Sequence, residues 1–237
     1  MTQTNISLRF VVCASNVDVL TKRLLQSSCF VDRKHRLDVL FNAKSAADGF
    51  NPAMSGAIAN GQTNQWLVWV HQDVVLPLDW DTQFVIALTR AMQLYPKLAV
   101  AGVYGIAGSG TQATRAGHVL DRGTLLREST ALPCLVDSLD ELLFAVRVDS
   151  HLQLDAALGF DFYGTDLVLE AQKKGLQCAV VDAYCEHWSD TPLQGAMPST
   201  LITRVMDSSR EFKKKWASRL PVSTSCFELT RDSDLQW

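Results

Sequence analysis

The chain has 237 residues, a formal net charge of −3 and a sequence pI near 5.9, with 47% hydrophobic and 20% charged residues. That is the balance of a soluble globular protein able to bury its own core without disulfides or a structural metal. Lys and Arg are scattered, and their one dense run, Lys213-Lys214-Lys215, reads as the solvated side of a helix, so no nucleic-acid partner is expected. None of the six cysteines forms a C-x-x-C pair, which removes zinc-ribbon and thioredoxin readings. Met1-Thr2-Gln3-Thr4-Asn5 lacks the charged and apolar regions of a signal peptide. No apolar run approaches the roughly 20 residues that span a bilayer. A cytoplasmic protein without a transmembrane segment is expected.

Along the chain, Leu8-Arg9-Phe10-Val11-Val12-Cys13 is a short apolar run of buried-strand type, closed by Ala14-Ser15-Asn16. Ser15 or Asn16 is placed to cap a helix carrying Val19, Leu20 and Leu24. Leu37-Asp38-Val39-Leu40-Phe41-Asn42 predicts a second strand, followed by a polar loop over 43–50. Asn51-Pro52 then has the signature of a helix start. Trp66-Leu67-Val68-Trp69-Val70 predicts a third strand that ends abruptly in His71-Gln72-Asp73. A helix over 79–94 and a strand over 98–103 follow. Strands separated by helices imply an α/β fold with a mostly parallel central sheet covered by helices on both faces.

The middle of the chain changes character. Residues 105–138 hold five of the thirteen glycines and no long periodic run, which predicts loops and short strands over a site. Glycines 102, 105, 108 and 110 are spaced like a phosphate loop but lack the helix that pattern requires, so a mobile loop is expected there. A strand over 142–148, a helix over 165–175, a strand over 176–181 and a C-terminal helix over 199–220 complete the pattern. With no internal repeat or low-complexity linker, residues 1–237 are expected to form one domain.

In open α/β sheets ligands sit beyond the carboxyl ends of the strands. Three such ends are polar here: Ala14-Ser15-Asn16, Asn42-Ala43-Lys44 and His71-Gln72-Asp73. A carboxylate at the third can hold a hard divalent cation, and Mg²⁺ needs only one or two protein carboxylates beside phosphate oxygens. Asp73 can also be read as capping the following turn. In residues 158–167, Asp161 and Asp166 bracket aromatic residues and a glycine before a helix. One of them suits a general base for a hydroxyl, while Thr165 or Asp166 also suits a helix cap. Cys185-Glu186-His187-Trp188-Ser189 places a histidine after a further strand.

In this order and spacing, four stretches resemble the family-2-like glycosyltransferases of the streptomycin-biosynthesis StrF type, from about Leu8 to Trp216. Ala47-Asp48-Gly49-Phe50-Asn51-Pro52-Ala53 is similar to the family's glycine-aromatic-asparagine helix start. Val68-Trp69-Val70-His71-Gln72-Asp73-Val74 is similar to its strand with HQD, the counterpart of a DxD metal motif. Phe162-Tyr163-Gly164-Thr165-Asp166-Leu167 resembles its aromatic-Tyr-x-x-Asp block, and Cys185-Glu186-His187-Trp188-Ser189 its late His-x-Ser.

The resemblance implies a GT-A fold with a Rossmann-like nucleotide-binding half over 1–104, an acceptor and catalytic half over 105–198, and a C-terminal helix and tail over 199–237. It implies Mn²⁺ or Mg²⁺ at Asp73 and His187. It also implies a UDP-, GDP- or dTDP-sugar donor along Val12, Ala14, Asn16, Asn42, Gly49, Asn51, His71 and Gln72. Asp161 or Asp166 would act as base on a glycan or small-molecule acceptor, in an inverting transfer. Several relatives carry Asp where this chain has Gly164, the position that aligns best with the usual catalytic carboxylate of family-2 transferases. The alternative is therefore a degenerate module that binds a nucleotide sugar or glycan without transfer. A nucleotidyltransferase is disfavoured, because Ala14-Ser15-Asn16-Val17-Asp18 lacks the glycines and charge that hold a triphosphate.

Overall fold

The computed structural model describes residues 6–189, 197–233 and 235; the opening pentapeptide lies outside them. The first half contains β1 (Ser7–Ala14), α1 (Val17–Lys22), α2 (Ser28–Val31), β2 (Arg36–Phe41) and α3 (Ala46–Ala59). It continues with β3 (Gln65–Val70), β4 (Val74–Val75), α4 (Trp80–Leu94) and β5 (Leu98–Gly102). Short strands follow: β6 (Tyr104–Ala107), β7 (Thr114–Asp121), β8 (Thr124–Arg127), β9 (Cys134–Leu135) and β10 (Ser138–Leu139). The chain then forms β11 (Leu143–Arg147), α5 (Tyr163–Lys173), β12 (Gln177–Val180) and β13 (Cys185–His187). It ends in α6 (Ser199–Lys215), β14 (Val222–Ser223) and β15 (Glu228–Leu229).

The main sheet has the order β2-β1-β3-β11-β5-β12-β9. It is mixed rather than mainly parallel: β2, β1 and β3 pair in parallel, as do β5 and β12, while β11 and β9 run against them. Period-two alternation divides its side chains between two cores. Leu8, Phe10 and Val12 of β1 pack with Trp80, Phe84 and Leu88 of α4 on one face. Val11 joins Phe50 and Met54 of α3 and Leu167 and Val168 of α5 on the other. Helices therefore cover both faces of a mixed α/β sheet.

Several local expectations differ from the structure: α5 starts at Tyr163 rather than at 165, and α6, expected to reach residue 220, ends at Lys215. The helix expected at Asn51 starts five residues earlier, at Ala46, because Ser45 and Asp48 form a reciprocal capping box. Asn51 instead exchanges two 2.9 Å hydrogen bonds with the Leu154 backbone, and Pro52 falls inside the helix. The glycine-rich stretch is not one mobile loop, since Gly102 closes β5 and Gly105 lies in β6. A Cβ at Gly105 would run into the Ser138 carbonyl oxygen, so glycine there lets β10 approach β6.

The short strands form a second sheet, ordered β10-β6-β7-β13-β4, with β8 paired to β7. A third core is built by α6 and the β14–β15 hairpin with Leu158, Phe162 and Leu169. Replacing the capping side chain by Ser45→Ala is expected to lower unfolding free energy by about 1 kcal/mol in urea titrations. An unchanged midpoint would mean that α3 does not depend on its cap.

Candidate functional site

The carboxyl ends of β1, β2 and β3 meet at a cleft of about 380 Å³, lined by Cys13, Ala14, Ser15, Asn42, His71, Asp73 and their neighbours, with Phe160 and Arg204 from two more segments. Gln72 ties two of these ends together. Its Oε1 accepts the backbone N–H groups of Ser15 and Asn16 at 3.0 Å, and its Nε2 donates to Ser15 Oγ. The Asn16 side chain is occupied in capping α1, through Asp18 N and Val19 N. Asn42 takes a left-handed φ of 55° at the end of β2, which turns the chain around the cleft rim. Val12 is buried in the core, and Gly49 packs α3 onto Cys13, so neither lines the cleft. Asn51, latched to Leu154, does not line it either.

Strand pairing assembles a cluster at one end of the cleft. In β13, His187 stands opposite Val74 of β4 and Asp121 of β7, and Trp188 N–H donates to the Asp73 carbonyl. Three carboxylate or imidazole side chains thus fall in a row across adjacent strands. His187 Nδ1 bonds Asp121 Oδ1 at 2.8 Å, and His187 Nε2 lies 3.4 Å from Asp73 Oδ1. The ligand atoms of His71, Asp73 and His187 lie within 4.8 Å of one another. Asp73 Oδ1 and His187 Nε2 are buried and, among the described residues, have no partner beyond their 3.4 Å ion pair with each other, which a ligand between them would replace.

The third member, His71, is set by a buried aromatic network. Tyr163 Oη accepts from Trp69 Nε1 at 3.0 Å, approaches the Glu141 carbonyl at 3.3 Å and meets His71 Nε2 at 2.8 Å. If Tyr163 donates to that carbonyl, His71 Nε2 is the donor to Tyr163 Oη and Nδ1 keeps its lone pair; if it donates to His71, Nε2 is the acceptor. Burial holds the His71 pKa below its ordinary value, against the pull of Asp73. His187 is the opposite case. Burial disfavours its imidazolium, but hydrogen bonds to Asp121 and Asp73 outweigh burial and push its pKa up to about 10. Burial likewise opposes the Asp73 carboxylate, yet His187 and His71 hold its pKa below the ordinary value.

The two carboxylates expected near α5 are both engaged in packing α6. Asp161 accepts a two-pronged 2.9 Å pair from Arg204, and its Oδ2 also accepts from Ser208 Oγ. Asp166, 1% exposed, neither caps α5 nor lines the cleft. Its Oδ1 accepts from Trp216 Nε1 and Lys215 Nζ, both at 2.7 Å, and burial raises its pKa. Thr165 bonds Ser138 Oγ rather than capping the helix. Asp121, Tyr163, Glu141 and Arg204 were not singled out by sequence. For Tyr163 the signal was present in the aromatic block before α5; for the others only the strand pairing and the α5–α6 contact reveal them.

The architecture and cleft define a mixed α/β protein with a candidate site at the carboxyl ends of its parallel β1, β2 and β3. No family model matches the chain. A relative described as ATP synthase subunits region ORF 6, from Fuscovulum blasticum, is 30% identical over 128 residues, 52% of this chain and 51% of its own. The chain thus spans about half the length of that relative. Among solved structures the chain is similar to A197 from STIV, with TM-score 0.48, 12% identity and coverage of 78% of this chain and 86% of the other. It is also similar to the inositol-1-phosphate CTP transferase from T. maritima, with TM-score 0.31, 11% identity and coverage of 85% and 96%. Among the described residues no helix is long and apolar enough to cross a membrane.

Removing the buried Asp166 carboxylate leaves Lys215 and Trp216 without their partner. Asp166→Ala is therefore expected to cost about 3 kcal/mol of unfolding free energy. The double variant Asp166→Ala, Lys215→Met should recover part of that loss. A single variant as stable as the parent would contradict the anchoring role.

Proposed function

We propose that this chain is a metal-assisted glycosyltransferase of the GT-A type, moving a sugar from a nucleotide-sugar donor to an acceptor hydroxyl with inversion. The observation that carries the reading is the His71, Asp73 and His187 cluster at the end of β3, whose Asp73 Oδ1 and His187 Nε2 are buried and paired only with each other at 3.4 Å. The donor's nucleotide would run from that cluster along Ser15 and Asn42. Gln72 keeps the β1 and β3 ends in fixed register beneath it.

The donor set fits a divalent metal. One carboxylate and two imidazole side chains converge, and Asp121 orients His187 from behind, as outer carboxylates do for ligating histidines. Two nitrogen ligands suit Mn²⁺ better than Mg²⁺, which prefers oxygen; the same set also suits Fe²⁺. Bound there, the cation supplies charge neutralisation for the donor diphosphate as it leaves. The cleft also contains Arg204, whose guanidinium is already paired with Asp161.

A non-catalytic binding module is the second reading. It draws on Gly164, where a Cβ would stand 2.6 Å from the Leu139 carbonyl oxygen, so that no carboxylate side chain fits at that position without a shift.

Thermal-shift measurements with UDP-, GDP- and dTDP-sugars, each with Mn²⁺, Mg²⁺ or Fe²⁺, test the reading, because a ligand of the native state raises its stability. A Mn²⁺-dependent shift with at least one donor is expected, and Asp73→Ala should abolish it and lower turnover by about 100-fold or more. No shift with any donor would refute the reading.

The metal must also displace the proton of His187, whose metal-free pKa is about 10. Mn²⁺ affinity should therefore rise with pH, by about tenfold per unit between roughly pH 6 and 8. A flat calorimetric profile would remove His187 from the ligand set.

A further inference from the structure

The Asp161 carboxylate is spent on α6, but the segment that carries it also reaches the cleft. That segment opens with one turn of 3₁₀ helix, Ala156–Leu158, and runs into α5 at Tyr163. Leu158 and Phe162 are buried in the third core with Phe212 of α6. Phe160, midway between them, packs instead on the core shared by α3 and α5, and it lines the cleft. The backbone makes that reversal. Gly159 takes a φ of 61°, and Phe162 takes 62°, a left-handed value that is costly for a bulky side chain.

The turn is braced on both sides of Phe160. The Gly159 carbonyl accepts the Ala46 N–H at 3.0 Å, and the Asp161 N–H donates to the Leu158 carbonyl at 3.2 Å. Arg204 and Ser208 hold the Asp161 carboxylate from α6. Ala46 is the first residue of α3, so its bond to Gly159 sets Phe160 beside the segment that follows β2. Asn42 and Ala43 of that segment line the same cleft. Phe160 therefore stands at the β2 end of the cleft, and His71 and Asp73 stand at the β3 end. In the sheet β1 separates these two strands, which places the ends about 10 Å apart. That leaves room for a ribose between a diphosphate at one end and a base at the other.

Trp69, the other aromatic residue of the cleft wall, is buried and stacked on Phe144. Phe160 is partly exposed, and among the described residues its ring has no aromatic or cationic partner. A ring fixed at its base and open at its face suits a planar base, and such stacking does not depend on which base is offered. We propose that Phe160 is the platform on which the nucleobase of the donor stacks, at the β2 end of the cleft. The proposal rests on the nucleotide-sugar reading. Phe160 then contributes affinity for the nucleotide and takes no part in bond making, and the Asp161–Arg204 pair serves to hold the platform in place.

Calorimetry with Mn²⁺ and UDP, GDP or dTDP, set against Mn²⁺ with inorganic pyrophosphate, separates the base from the diphosphate. Phe160→Ala should weaken the nucleotide that wild type binds by about tenfold or more and leave pyrophosphate within about twofold. Phe160→Leu, apolar but without a flat ring, should fall with the alanine variant. Phe160→Tyr and Phe160→Trp keep the ring and should bind that nucleotide within about threefold of wild type.

Alanine and leucine variants that bind nucleotide within about twofold of wild type would overturn the platform and leave the nucleotide site standing. Equal losses of nucleotide and pyrophosphate would also overturn it, by showing that Phe160 only supports the shape of the cleft. Wild type that binds pyrophosphate and none of the three nucleotides would overturn a base subsite of any kind. Wild type that binds neither would overturn the nucleotide-sugar reading and the platform with it.

Discussion

The site depends on one strand pairing. β13 is three residues long, yet it lies between β4 and β7 and forms a ladder with each. The ladder places His187 opposite Asp121 on one side and next to Asp73 on the other. Adjacent strands lie about 5 Å apart, which brings such side chains within reach of a single ligand or of one another. No side-chain preference could bring together residues 73, 121 and 187 from such separate parts of the chain; backbone hydrogen bonds do it. The ion pairs follow from the register, and a one-residue slip of β13 would turn His187 to the other face of the sheet.

The second constraint is the buried polar network around Tyr163. A hydroxyl with no exposure, bonded to Trp69, His71 and the Glu141 carbonyl, must satisfy each partner or leave a costly orphan. The network holds His71 in place and fastens the β10–β11 connection against α5. His71 is thus neutral through burial, and His187 is charged in the metal-free protein through its two carboxylate partners. The two histidines are chemically unlike although they sit side by side, with ring centroids 5.7 Å apart.

Much of this arrangement was legible in the sequence. The apolar runs of β1, β3, β5 and β12 and the periodicity of α4 reported their elements within a residue or two, because burial on both faces leaves an unbroken hydrophobic signal. The polar ends Ser15, Asn42 and Asp73 were legible for the same reason, since each interrupts such a run. The start of α3 was misread, because Asn51-Pro52 carries a stronger local capping signal than Ser45 with Asp48. Tertiary bonding to Leu154 gives Asn51 its role instead. The reversed direction of β11 and β9 has no local signature. Nor does Asp121, whose meaning comes only from its partner in β13.

The aspartates flanking Gly164 show why composition near a helix start does not by itself identify a base. Asp161 and Asp166 have the residue type and the spacing, but α6 delivers Arg204 and Lys215 to them, and the bonds so formed fasten the C-terminal helix to α5.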